Sequence, residues 1–235
     1  MGSIDEILAG YEALRPGQEA FYQDLHRHPE LSHQEHDTAR RVAERLRGDG
    51  LTVQTGIGGT GVVGVLANGA GPTVLLRCEL DALPLREDTG APYASTVTVQ
   101  DAGGHEVPVD HAGGHDMHMA CMTTMAKLMA DHRDQWQGTL ITLFQPAEET
   151  GDRAGQIPRQ TVSEDFSKIP DAVGVPYCYW AIGFTDRDTY LAAEKDGHLD
   201  DLPTNHSPKF LPPMQPTLRT GTEALVAAAL AWLVR

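Results

Sequence analysis

Apolar residues recur along this chain with two different periods, and each period predicts a different element. Ala39, Val42, Ala43 and Leu46 fall on one face at helical spacing before Gly48 and Gly50 break the pattern, so a helix is expected there. Ser32 and Glu35 have capping-box spacing and are expected to start it. Met117, Cys121, Thr124, Met125 and Leu128 mark a second helix, whose methionines are expected to pack in the core. TGVVGVLAN and PTVLLRCEL are apolar, rich in β-branched residues and separated by the turn-like GAGP, so they are expected to be neighbouring strands. A third such run, GTLITLF, ends in QPAEE. Near the C-terminus, ALVAAALAWLV is well short of the ~20 apolar residues that cross a bilayer and reads as a buried helix. Strands interleaved with helices predict an α/β fold with helices packed on a sheet. In such sheets, sites form where strand ends and loops meet.

Composition narrows the function. A chain of 235 residues suits one domain of ordinary to large size. Its 33 acidic and 18 basic residues give a net charge of −15, which repels nucleic acid and anionic membranes, so neither is an expected partner. Cys78, Cys121 and Cys178 are widely spaced and form no CxxC pair, and no basic segment followed by an apolar one opens the sequence. A reducing cytoplasm is the expected location.

Several motifs are decoys. GIGGTG at 56–61 fits a dinucleotide fingerprint by letters, but it leads into a strand-like run instead of opening a helix. NHS at 205–207 matches a glycosylation sequon in a chain with no visible secretory signal. His26, His28, His33 and His36 look like a metal cluster, yet Pro29 divides them, and they are expected to be surface and helix-end histidines. Neither GxSxG nor HExxH occurs.

Three clusters carry chemistry: RCELDALP at 77–84, DHAGGHDMH at 110–118 and QPAEET at 145–150. Adjacent carboxylates Glu148 and Glu149 after a strand suit a division of labour, one binding a cation while the other moves a proton. Alone, such a pair is more often a solvated acidic loop.

Taken in order, RCELDALP, HAGGHDMH and FQPAEETGD resemble the M20 metallopeptidases, in particular the amidohydrolase branch of aminoacylases, hippurate hydrolases and auxin-conjugate hydrolases. LHRHPELSHQE, SEDFS at 163–167 and NHSPKF at 205–210 fit further motifs of that family. The resemblance implies one zinc-peptidase-like catalytic domain over residues 1–235, a central mixed sheet flanked by helices. It makes Glu148 the general base, which deprotonates water and then protonates the departing amine. It makes His115, Glu149 and His206 metal ligands, and gives Asp81 and Asp116 the task of orienting ligands by hydrogen bonds. The implied cofactor is Zn or Mn, with Co or Ni as alternatives. The implied substrate is a small amide such as an N-acyl amino acid.

Two departures stand out. The branch's motif reads HACGHD, with a cysteine shared between two ions, whereas Gly113 stands in that place here, so one ion is expected rather than two. Only eight residues, Gly155 to Val162, stand where the family inserts a further histidine-bearing strand and a lid. Apolar surface near that junction would need covering, with a second copy of the chain as one candidate partner. Two readings therefore stay open: a reduced metal-dependent amidohydrolase, and a non-catalytic metal-binding or interaction remnant.

Overall fold

The computed structural model describes residues 4–150 and 166–233. The 155–162 junction and the first three residues of the 163–167 motif lie outside the described residues. The N-terminal half holds α1 (Ile4–Leu8), α2 (Tyr11–Arg27) and α3 (His36–Gly48), then strands β1 (Thr52–Ile57), β2 (Gly61–Asn68) and β3 (Thr73–Glu79). A small hairpin follows, β4 (Thr98–Gln100) with β5 (Glu106–Pro108), and leads to α4 (His115–Asp131) and β6 (Gly138–Gln145). The remaining helices are α5 (Lys168–Val173), α6 (Arg187–Asp196) and α7 (Met214–Leu233).

The main sheet is mixed, in the order β1-β2-β6-β3. Strands β2 and β3 both form, but they are not neighbours: β6 lies between them, antiparallel to β2 and parallel to β3. A short GAGP link suggested adjacency, yet the central place goes to the strand whose alternate residues Leu140, Thr142 and Phe144 are fully buried. Burying each such large apolar side chain contributes about 1.5–3 kcal/mol, more than a local turn preference. GIGGTG spans the end of β1 and the turn into β2 and opens no helix.

One core unites the sheet with the helices. Leu46 of α3, Val62 and Leu66 of β2, Leu76 of β3, Met122 and Met125 of α4, and Val226 and Leu230 of α7 all belong to it. The four methionines at 117, 122, 125 and 129 are buried, as expected. Helix α3 sits so close to the sheet that a Cβ on Gly64 would lie 3.1 Å from Leu46 Cδ1 and 2.7 Å from Thr142 Oγ1. A buried amide fixes α4 between α2 and α7: Gln18 accepts from Tyr11 Oη at 2.7 Å and donates to Thr222 Oγ1 at 2.8 Å and Ala120 O at 3.3 Å.

The expected capping box does not form. Glu35 is the N-cap of α3 without a side-chain capping bond, and Ser32 Oγ donates instead to the Asp81 carboxylate at 2.7 Å. No described helix is long and apolar enough to cross a membrane. After residue 166, Val173, Val175, Tyr177, Tyr190 and Leu191 are exposed.

Candidate metal centre

The parallel pair β3 and β6 ends in register, Glu79 opposite Gln145, so the residues that follow both strands meet at one edge of the sheet. Carboxyl ends of parallel strands are where α/β sheets commonly place their sites. Asp81 follows β3, and Glu148 and Glu149 follow β6. Helix α4 brings the third contribution. Gly114, with a left-handed φ of +82°, turns the chain so that His115 begins the helix.

His115 is 6% exposed. Its Nδ1 lies 2.8 Å from the Asp81 carbonyl oxygen, an acceptor only, so Nδ1 carries the proton and Nε2 faces the other way. That nitrogen lies 3.8 Å from Glu149 Oε1 and 3.9 Å from Glu148 Oε2. His206 reaches the same carboxylate from a distant loop, its Nε2 3.3 Å from Glu149 Oε1. The loop is tied down where the His206 N–H donates to Ala112 O at 2.9 Å, with His206 at a left-handed φ of +65°. Ligand atoms about 2.0–2.1 Å from a tetrahedral ion sit about 3.3–3.4 Å apart, so these separations suit a cation drawn in among them.

Electrostatics agree with the geometry. Burial disfavours the charged form of His115, but the Asp81 carboxylate beside its ring and the charges of Glu79 and Glu149 outweigh it and push its pKa up to about 10. The Glu149 carboxylate raises that of His206 in the same sense. Burial also opposes ionisation of Asp81, yet His115 and Ser32 hold its carboxyl down at about 2. A site that attracts protons this strongly attracts divalent cations for the same reason.

Asp81 and Asp116 part company. Asp81 orients the site twice over, through its carbonyl to His115 and through its carboxylate, which accepts the Glu149 N–H at 2.9 Å. Asp116 faces away from the three candidate ligands: its carboxylate lies 2.6 Å from His26 Nδ1 and accepts the Met117 N–H at 2.8 Å. Consequently His26 is no surface histidine. It is 1% exposed, whereas His28, His33 and His36 are exposed as expected.

Glu35 is a site-shaping residue that the sequence did not disclose. Buried, it accepts from Thr60 Oγ1 at 2.7 Å and from the Ala147 N–H at 2.8 Å. Ala147 there adopts a left-handed φ of +56°, which turns the chain into Glu148 and Glu149. Gly113 has its own reason. A Cβ on it would lie 2.7 Å from Glu149 Oε1 and 3.5 Å from His115 Nε2, so a side chain at this position would point into the site.

Residues 75–168 match the family model described as Peptidase family M20/M25/M40. Among curated relatives, the IAA-amino acid hydrolase ILR1-like 5 of Arabidopsis thaliana is 34% identical over 145 residues, 62% of this chain and 31% of the relative. Thermostable carboxypeptidase 1 of Saccharolobus solfataricus is 40% identical over 136 residues, 57% of this chain and 32% of the relative. The YXEP protein of Bacillus subtilis, a dinuclear metal binding peptidase from the M20 family, superposes with a TM-score of 0.53 at 33% identity, covering 60% of this chain and 37% of that one. The match to the M20 model thus covers residues 75–168, and the chain spans about a third of the length of the curated relatives it matches.

Proposed function

We propose that the chain carries a cytoplasmic, metal-dependent amidohydrolase centre that cleaves N-acyl amino acids or related small amides in the manner of an aminoacylase. One observation carries this reading: the Nε2 atoms of His115 and His206 converge on Glu149 Oε1, at 3.8 and 3.3 Å, with Glu148 beside them. In this reading His115, Glu149 and His206 hold one zinc or manganese ion within a single domain over residues 1–235. When bound, that ion supplies Lewis acidity.

The remaining work falls to this chain's own groups. Glu148 takes a proton from water and returns it to the departing nitrogen, the double task a positioned carboxylate performs. Asp81 keeps Nε2 of His115 presented and fixes the peptide of Glu149, so little reorganisation is needed when a cation binds. Asp116 holds His26 and the Met117 N–H and takes no part in this centre.

Gly113 favours a second reading, a metal-binding remnant without turnover, because it offers the site no side chain. Release of free amine from a panel of N-acyl amino acids, in chelated protein and after adding back zinc or manganese, separates the two. Turnover restored by metal supports the hydrolase. Metal uptake with no turnover on any substrate supports the remnant.

A further inference from the structure

Behind the candidate centre lies a second group of buried polar side chains that amide hydrolysis does not use. His26 sits in the last turn of α2, Glu87 in the loop after β3, and Asp110 in the loop after β5. One ligand atom from each of the three lies within 4.8 Å of the other two. The side chains of His26 and Glu87 are 2% and 0% exposed, and Asp110 is 0% exposed.

The hydrogen-bond inventory is incomplete here. Among the described residues neither carboxylate oxygen of Asp110 has a partner in good hydrogen-bond geometry, the nearby His111 N–H included, although its main chain is fully used in reciprocal bonds to Leu83 at 2.9 and 3.0 Å. His26 Nε2 also lacks one: it faces Glu87 Oε1 at 3.3 Å without hydrogen-bond alignment. Leaving a buried polar group unsatisfied costs about 1–3 kcal/mol, and more when it is charged. Protonating Asp110 would not remedy this, since the new O–H would still need an acceptor.

Charge adds a second argument. Asp110, Asp116 and Glu87 bring three carboxylates together, and His26 is the one group among them that can carry a positive charge. His111, equally buried, is pushed by desolvation toward the neutral form, with a pKa of about 4. Even with His26 protonated, one negative charge remains uncompensated when Asp110 holds a proton and two when it is ionised, which a low-dielectric interior tolerates poorly without a counter-ion. Asp116 supplies the backing that metal-binding imidazoles generally have: its carboxylate grips Nδ1 at 2.6 Å and directs Nε2 toward Glu87 and Asp110.

We propose that His26, Glu87 and Asp110 form a buried divalent-cation site, distinct from the His115 centre, with Asp116 orienting His26. Imidazole with two carboxylates and no thiolate suits zinc or manganese. The ion joins the end of α2 to the loops before β4 and before α4, so its role is structural. Its existence does not depend on the hydrolase reading.

Zinc soaked into crystals of the full chain tests this directly. The expected result is an anomalous peak about 2.0–2.2 Å from His26 Nε2 and from oxygens of Glu87 and Asp110. A peak at His115 with only ordered water, or nothing, among His26, Glu87 and Asp110 would overturn the proposal. In solution, Glu149→Gln is expected to retain a zinc-dependent rise in Tm, and adding Asp110→Asn to it is expected to abolish that rise and remove one bound equivalent. His26→Gln is the second route should Asp110→Asn fold poorly. Zinc stoichiometry and Tm response unchanged in a folded variant of either kind would contradict the site.

Discussion

The main-chain oxygen of Asp81 holds His115 Nδ1 at 2.8 Å, and the carboxylate of the same aspartate holds the Glu149 N–H at 2.9 Å. One residue thereby sets the attitude of two candidate ligands that arrive from different elements. Removing the Asp81 carboxylate should loosen Glu149 while the main-chain bond to His115 persists. Asp81→Ala is expected to weaken zinc affinity by about 10–100-fold, the usual effect of losing such a supporting partner. A zinc titration against a competing chelator measures it.

Gly113 makes a steric prediction. Its φ is not in the left-handed region, so alanine is compatible with the backbone, but the added methyl would sit 2.7 Å from Glu149 Oε1. Glu149 must then move away from His115 and His206. Gly113→Ala is expected to lower zinc affinity at least about tenfold while the fold survives, as the sensitivity of metal sites to ligand placement implies. Circular dichroism and a zinc isotherm on the same sample check both halves.

Cation binding should be coupled to proton release. In the metal-free protein His115 binds its proton more tightly than an exposed histidine, up to a pKa of about 10. The proton must leave before Nε2 can coordinate. Between pH 7 and 9, apparent zinc affinity is therefore expected to rise about tenfold per pH unit for each proton released. Isothermal titration in buffers of different ionisation enthalpy counts those protons.

Asp110 governs a separate pH effect. Burial, and the nearby charge of Glu87, raise its pKa from the ordinary aspartate value to about 7, against the opposing pull of His26. The folded chain then holds a proton that the unfolded chain has released, so this residue's contribution to stability is full below about pH 4 and is lost as pH rises to about 7. Asp110→Asn carries no titrating group. In chelator, the urea stability of the variant relative to the parent should increase from pH 4.5 to pH 7.5.

Much of this architecture was legible because burial dictates periodicity. The strands at 61–68, 73–79 and 138–145 and the helices at 36–48 and 115–131 follow the apolar patterns that predict them. Strand order was not legible, since β6 enters between β2 and β3 from 58 residues beyond β3, and no local signal marks that pairing. Ser32 and Glu35 show the limit more sharply. Their spacing favours a capping box, but tertiary partners claim both side chains, Asp81 taking Ser32 and Thr60 with Ala147 taking Glu35. His26 misled for a similar reason: a helix-end histidine suits solvent until a distant Asp116 buries it. His115, Glu148, Glu149 and His206, named through the family resemblance, lie close together in the structure.

In the proposed reaction Glu148 and Glu149 divide one task, proton transfer on one side and cation binding on the other. Measuring bound zinc and kcat on an N-acyl amino acid, side by side for the parent chain, Glu148→Gln and Glu149→Gln, tests it most directly. Glu148→Gln is expected to keep its zinc and lose about 10²–10⁴ in kcat, the usual contribution of a general base, and Glu149→Gln to lose zinc and activity together. A parent chain that binds zinc without turnover, or a Glu148→Gln variant with undiminished kcat, would contradict it.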